Sequence, residues 1–136
     1  MAYEATRQIF EEWFRAWSSH DVPALVALFA DDCTWDDVPN RVHRGKQAVE
    51  ALARSTYTMV PDLKLEIRDV LLSDAGFVAE WQATGTNAGD VQDIPASGNC
   101  FRMRGASVIR LQDGKIYSYA SYWDTRSMTD KPYIEQ

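Results

Sequence analysis

The segment Asp31-Asp32-Cys33-Thr34-Trp35-Asp36-Asp37 concentrates the groups of this chain best suited to moving protons. On a strand, alternation puts Cys33, Trp35 and Asp37 on one face and Thr34 and Asp36 on the other. A carboxyl that shares a face with an aromatic ring and a thiol loses hydration. Desolvation disfavours its charged form, raises its pKa and suits it to general acid or base work. Asp37 is the primary candidate, and a solvated carboxylate capping the turn before Pro39 is its bland alternative. Asp36 points the other way and is assigned to the surface.

Other side chains could assist. His43 follows the turn Val38-Pro39-Asn40 and offers a proton relay or donor, or else a half-buried structural imidazole. Tyr57 could aim its hydroxyl inward at a carbonyl or epoxide oxygen, or simply pack in the core. Arg102 and Arg104 alternate with Phe101 and Met103. They are either exposed strand charges or an anchor for a substrate carboxylate. A bulge expected at Gly105 leaves open which parity faces inward. Trp13, Trp17, Phe29, Trp35 and Trp81 are assigned to the core and the wall of any pocket. Cys33 and Cys100 are read as buried free thiols, and two Cys and two His at scattered spacings make no zinc signature.

The elements that must position these groups follow from periodicity. Ile9, Phe10, Trp13, Phe14 and Trp17 recur at helical steps. Asp21 is a plausible N-cap, with Pro23 in the first turn of a second helix carrying Leu25, Val26, Leu28 and Phe29. Cys33 to Asp37 reads as the first strand, and Lys46 to about Tyr57 as a third helix. Leu63 to Ile67, Phe77 to Thr86, Asn99 to Leu111 and Lys115 to Trp123 read as strands, the last two joined by Asp113-Gly114. Residues 87–98 read as a loop long enough to cover a pocket mouth, or as a plain solvated connection. Helices first and an antiparallel meander after argue for α+β, with the helices packed on one face of a curved sheet.

Composition narrows the options. At 136 residues the chain fits one domain, 1–136, with a loosely held tail from about residue 126. Fourteen Lys and Arg against 20 Asp and Glu give a net charge of −6, which repels phosphate backbones and argues against nucleic acid as a partner. No apolar run is long enough to cross a bilayer, and the N-terminus lacks the basic start and apolar core of a signal peptide, so a cytoplasmic location is expected.

The "ALFADD" bend, "TWDD", "VHRGKQAV", "RMRGASVIRLQDGKI" and the closing "SYWD" together resemble the nuclear-transport-factor-2-like superfamily. Within it they are closest to the SnoaL-like polyketide cyclases. The resemblance implies a cone: three N-terminal helices on a strongly curved, mostly antiparallel sheet that encloses an apolar pocket. It also implies a homodimer formed through the outer face of the sheet. Asp37 falls on the general base of ketosteroid isomerase, whereas that enzyme's oxyanion Tyr falls on Trp13 and its protonated Asp on Ala106. The Asp that SnoaL-type cyclases and limonene epoxide hydrolases carry in the last strand is matched by Ser121. By the same resemblance Tyr119, Ser121 and Trp123 look into the pocket. The expectation is a cofactor-free isomerase or cyclase acting by proton transfer on a small, apolar, polyketide- or terpenoid-like molecule. Asp37 would be its base, and Tyr57, Tyr119, Ser121 or His43 would stabilise the oxyanion. Epoxide hydrolysis is the first alternative and a non-catalytic ligand-binding or accessory protein the second. No metal or nucleotide motif is visible.

Overall fold

Apolar residues at three- and four-residue steps fold Glu4–Ser18 into helix α1, which buries Trp13, Ala16 and Trp17. Helix α2, Val22–Ala27, starts at Asp21, whose carboxylate accepts the Ala24 N–H at 3.1 Å. It is shorter than the apolar pattern suggests. Phe29, expected on its apolar face, instead opens strand β1, Phe29–Asp37, where it is fully buried. The computed structural model describes residues 3–89 and 96–129.

After β1 the chain turns into a short strand, β2, Arg41–Arg44, where the sequence suggested only a connection. Gly45 then adopts φ 86°, a left-handed conformation that glycine takes without steric cost, and launches helix α3, Lys46–Met59. The meander follows as β3 (Lys64–Ser73), β4 (Gly76–Thr86), β5 (Cys100–Gln112) and β6 (Lys115–Trp123), and the short helix α4 spans Arg126–Thr129. Of the loop expected over 87–98, Asn87 closes back on its own base: its N–H donates to the Asn99 carbonyl, and its carbonyl accepts from Gly98 N–H. Residues 90–95 lie outside the described residues, as does the tail beyond Thr129.

The six strands form one sheet in the order β2-β1-β6-β5-β4-β3, which does not close on itself. Only the β1–β6 pair is parallel. Helices α1 and α3 pack against it, α1 on β3 and β4, α3 on β1 and β2. This is the expected α+β arrangement.

Register does the positioning. One row across the sheet aligns Trp35, Tyr119, Ile109 and Phe77; the next aligns Asp37, Ser121, Ser107 and Ala79. All eight side chains are buried. The bulge expected at Gly105 is absent, since β4 and β5 pair without interruption from Gly76↔Arg110 to Thr86↔Cys100. The extra residue is Tyr117 in β6, where Arg110 pairs with Ser118 and Leu111 with Ile116. It lets Ile116 and Tyr119 both face inward while Tyr117 stays exposed. Gly105 serves a different end: a Cβ there would strike the ring of Trp81, which lies across it from the neighbouring strand.

Cys33 is buried as expected, but Cys100 is exposed at the start of β5, because the inward parity of that strand belongs to Phe101 and Met103. Among the described residues no helix is long and apolar enough to cross a membrane.

Candidate active site

The inner face of the sheet and helices α1 and α3 enclose a cavity of about 90 Å³. Its walls are almost entirely apolar, and among the described residues a single ionisable carboxyl, Asp37, lines it. Asp37 is 4% exposed. Trp123 Nε1 donates to its Oδ1 at 2.6 Å, and Ser121 Oγ donates to the same oxygen at 3.3 Å. Trp35 Nε1 in turn donates to Ser121 Oγ at 2.9 Å. The strand register explains this assembly, because Ser121 is the residue directly beside Asp37 on the parallel neighbour.

Two further polar groups adjoin it, Tyr119 in the neighbouring row and Ser107 in the row of Asp37 itself. Trp13 Nε1 donates to the Tyr119 hydroxyl at 3.1 Å, and Trp81 Nε1 donates to Ser107 Oγ at 3.0 Å. The Tyr119 ring packs on Trp35 with centroids 4.6 Å apart. Indole N–H groups therefore hold each hydroxyl of the cavity floor in place, which a buried polar atom needs in an apolar surround.

Burial raises the Asp37 pKa above its ordinary 3.8, while the hydrogen bonds from Trp123 and Ser121 restrain the rise by favouring the carboxylate. The balance suits a group that must give and take a proton. Burial also pushes the Tyr119 phenol up to about 12, so it remains a hydroxyl donor at neutral pH. His43 sits across from Trp35 on β2, on the same face. Burial, then the charge of Arg41, lowers its pKa below 6.5, so the imidazole is neutral at pH 7.

The structure brings together Trp13, Trp17, Trp35, Asp37, Trp81, Tyr119, Ser121 and Trp123. Other sequence candidates fall elsewhere. Tyr57 donates its hydroxyl to the Trp17 backbone carbonyl at 2.8 Å, so it packs the core and ties α3 to α1 rather than reaching into the cavity. Phe29 lies outside the cavity lining, stacked under Tyr119. Arg104 is exposed and pairs with Glu80 at 3.0 Å, and Arg102 shares its outward parity; neither lines the cavity, because the uninterrupted register turns Phe101 and Met103 inward. His43 is half-buried and also outside the lining. The sequence reading missed Ser107, which follows Phe101 and Met103 at the same parity and becomes legible once Gly105 is read as an ordinary strand residue.

Trp123→Phe removes the shortest donor to Asp37 and keeps the ring. The Asp37 titration midpoint, followed by carboxyl ¹³C NMR, is expected to move to higher pH by about one unit or more, the worth of a hydrogen bond to a charged group. An unmoved or lowered midpoint would show that this bond does not hold the carboxylate.

Comparison with known proteins fits this geometry. The SnoaL-like domain pattern matches residues 10–119. A candidate SnoaL-like polyketide cyclase from Jannaschia sp. CCS1 superposes with a TM-score of 0.83 at 16% identity, covering 94% of each chain. A protein with a ketosteroid isomerase-like fold from Catenulispora acidiphila, solved with trimethylamine, gives 0.77 at 22% identity over 90% of each chain. An epoxide hydrolase of the LEH-like type from M. tuberculosis gives 0.70 at 20% identity, covering 92% of this chain and 86% of its own. At such identities the likeness speaks for the fold. Comparison with curated protein sequences gives no match. The domain match over most of the chain, on a nuclear-transport-factor-2-like fold, makes this protein a member of the SnoaL-like family.

Proposed function

We propose that this protein is a cofactor-free isomerase or cyclase that moves a proton at a carbon next to a carbonyl in a compact, largely apolar substrate. One observation carries the reading: a buried carboxyl, poised by Trp123 and Ser121, opens into an otherwise apolar cavity that also presents hydroxyl donors. Ionised Asp37 takes a proton from the α-carbon, and the C–H electron pair passes into an enolate whose charge falls on the carbonyl oxygen. Hydroxyl donors stabilise that oxygen. Where a C=C lies β,γ to the carbonyl, the enolate extends into a dienolate and Asp37 returns the proton at the γ-carbon, which moves the double bond into conjugation. In a molecule with a second carbonyl, the enolate carbon attacks that carbonyl carbon, the C=O π pair moves to its oxygen and takes the proton from Asp37, which closes a ring. The cavity volume points to a compact substrate rather than the larger ligands that fill sites of roughly 300–1,000 Å³.

The test is solvent exchange. Wild-type protein in D₂O is expected to deuterate the α-carbon of 3-cyclohexenone or 1-indanone faster than buffer, saturably, with an acid limb above pH 3.8 that follows the Asp37 titration. No exchange above the buffer rate across such ketones, together with an Asp37 midpoint at or below 3.8, would replace the enzyme by a ligand-binding protein.

A further inference from the structure

An indole N–H can donate a hydrogen bond but cannot accept one. That restriction sets the direction of a hydrogen-bonded chain across strands β1 and β6. Trp35 Nε1 lies 2.9 Å from Ser121 Oγ, so the serine oxygen must accept there. The hydroxyl keeps one proton of its own. Among the described residues, the acceptor set beside that proton is Asp37 Oδ1, at 3.3 Å. The chain therefore runs one way, from the Trp35 N–H through the Ser121 O–H to the Asp37 carboxylate. It ends on the oxygen that Trp123 Nε1 also reaches, at 2.6 Å.

Register and packing hold the chain in place. Trp35 and Asp37 share the inward face of β1, and Ser121 stands beside Asp37 on the parallel strand. The Val38 N–H donates to the Ser121 backbone carbonyl at 3.0 Å, which ties the two strands together at that level. The Trp35 ring packs on Tyr119, and Trp35, Ser121 and Asp37 are all buried, so solvent does not compete for the hydroxyl proton. A serine hydroxyl free to turn would serve either form of Asp37, donating to the carboxylate or accepting from the acid. An N–H that donates into its oxygen polarises the O–H, which makes it a better donor and a poorer acceptor.

We propose that Trp35 is a positioning residue: its N–H commits the Ser121 hydroxyl to donating, and so supports the ionised form of Asp37 without touching it. For turnover this rests on the proton-transfer reading, in which the base must be ionised to act. As a statement about the carboxyl it stands apart from that reading. The other groups around Asp37 are few. His43 lies on β2, Arg41 pairs with Asp37 on the same strand, Asn40 adds a neutral side-chain donor from the turn, and Tyr119 lies on β6. Helices α1 and α3 bring no ionisable side chain to the cavity lining. His43 titrates separately and is followed by its own ring protons.

The wild-type protein carries the first readout. In a ¹⁵N-resolved pH titration the Trp35 indole proton is expected to move upfield as Asp37 protonates, at the midpoint given by the Asp37 carboxyl ¹³C signal. The hydroxyl then loses its anionic acceptor and pulls less on the N–H. The Trp81 indole proton, whose acceptor is Ser107, is expected to move far less. Ser121→Ala is expected to abolish the Trp35 response and to raise the Asp37 midpoint, and with it the acid limb of α-deuteration, by about half a unit or more. Trp35→Phe is expected to raise the midpoint in the wild-type background and to leave it within about 0.2 unit in the Ser121→Ala background, because it acts through the hydroxyl. Four results would overturn the assignment: a Trp35 proton that stays flat through the Asp37 midpoint, one that titrates equally in Ser121→Ala, a Ser121→Ala midpoint that is unmoved or lowered, or the same shift from Trp35→Phe in both backgrounds. Where Trp35→Phe does not fold, the wild type and Ser121→Ala decide. A silent Trp35 proton alongside Asp37-dependent deuterium exchange refutes this assignment alone. A responsive proton without exchange refutes the catalytic reading and leaves the chain of donors standing.

Discussion

Asp37→Asn is expected to lower turnover by about 10²–10⁴-fold, the usual contribution of a positioned general base, without unfolding the protein. The amide has the shape of the carboxyl, and its oxygen can still accept from Trp123 Nε1 and Ser121 Oγ. What it loses is the capacity to take a proton. Measured as the rate of α-deuteration with 1-indanone, the loss should fall on kcat more than on KM, because the carboxyl acts on the reacting carbon rather than on the bulk of the ligand. Full activity in the variant would remove Asp37 from the chemistry.

The same substitution makes a prediction about stability with a definite sign. The folded protein raises the Asp37 pKa above 3.8, chiefly by burial. Below that value the residue is protonated in both states and its contribution to folding is at its best. As pH rises through the folded pKa that contribution is lost, because the unfolded chain ionises without hindrance and the folded one must bury a charge. Asparagine has no such loss. The melting temperature of Asp37→Asn relative to wild type is therefore expected to climb between about pH 3 and about pH 7, the remaining carboxylates cancelling between the two proteins. A flat or falling difference would mean that the carboxylate is better solvated in the fold than its 4% exposure indicates.

Asp37 was legible in the sequence because a strand has period two: Cys33, Trp35 and Asp37 are all buried, while Thr34 and Asp36 are only partly covered. The same rule grouped Tyr119, Ser121 and Trp123 on one face of β6, which the family resemblance turned inward, but it also added Tyr117, which the bulge leaves exposed. It failed for Phe29, which an apolar helix face and an inward strand position would accept equally well. It failed again at Gly105, where glycine within a strand signals either a bulge or a close approach. Choosing the bulge left Arg102 and Arg104 as site candidates and hid Ser107. Nor could periodicity tell that Tyr57 would give its hydroxyl to a backbone carbonyl 40 residues away, or that Trp17 would stand edge-on to Trp35. Those depend on how α1 and α3 dock, which is long-range geometry that local pattern does not encode.

Gly105→Val is expected to destabilise the protein by about 3 kcal/mol or more, comparable to losing a large buried side chain, and to lower its melting temperature by about 10 °C. The cause is volume. Gly105 is extended backbone, so a side chain there is not strained in φ, but its Cβ would meet the outer carbons of the Trp81 indole and the Tyr122 carbonyl oxygen. Trp81 pairs directly with Gly105 and is buried over it, and its Nε1 reaches Ser107 only from that position. Valine forces the indole off the strand, opens the cavity wall and leaves the Ser107 hydroxyl without its donor. A double-mutant cycle with Trp81→Ala isolates this cause: once the indole is gone, much of the penalty for Gly105→Val should vanish, leaving the part due to Tyr122. Additive effects in the cycle would show that the glycine is required by the β5–β6 backbone alone and not by the ring that closes the cavity.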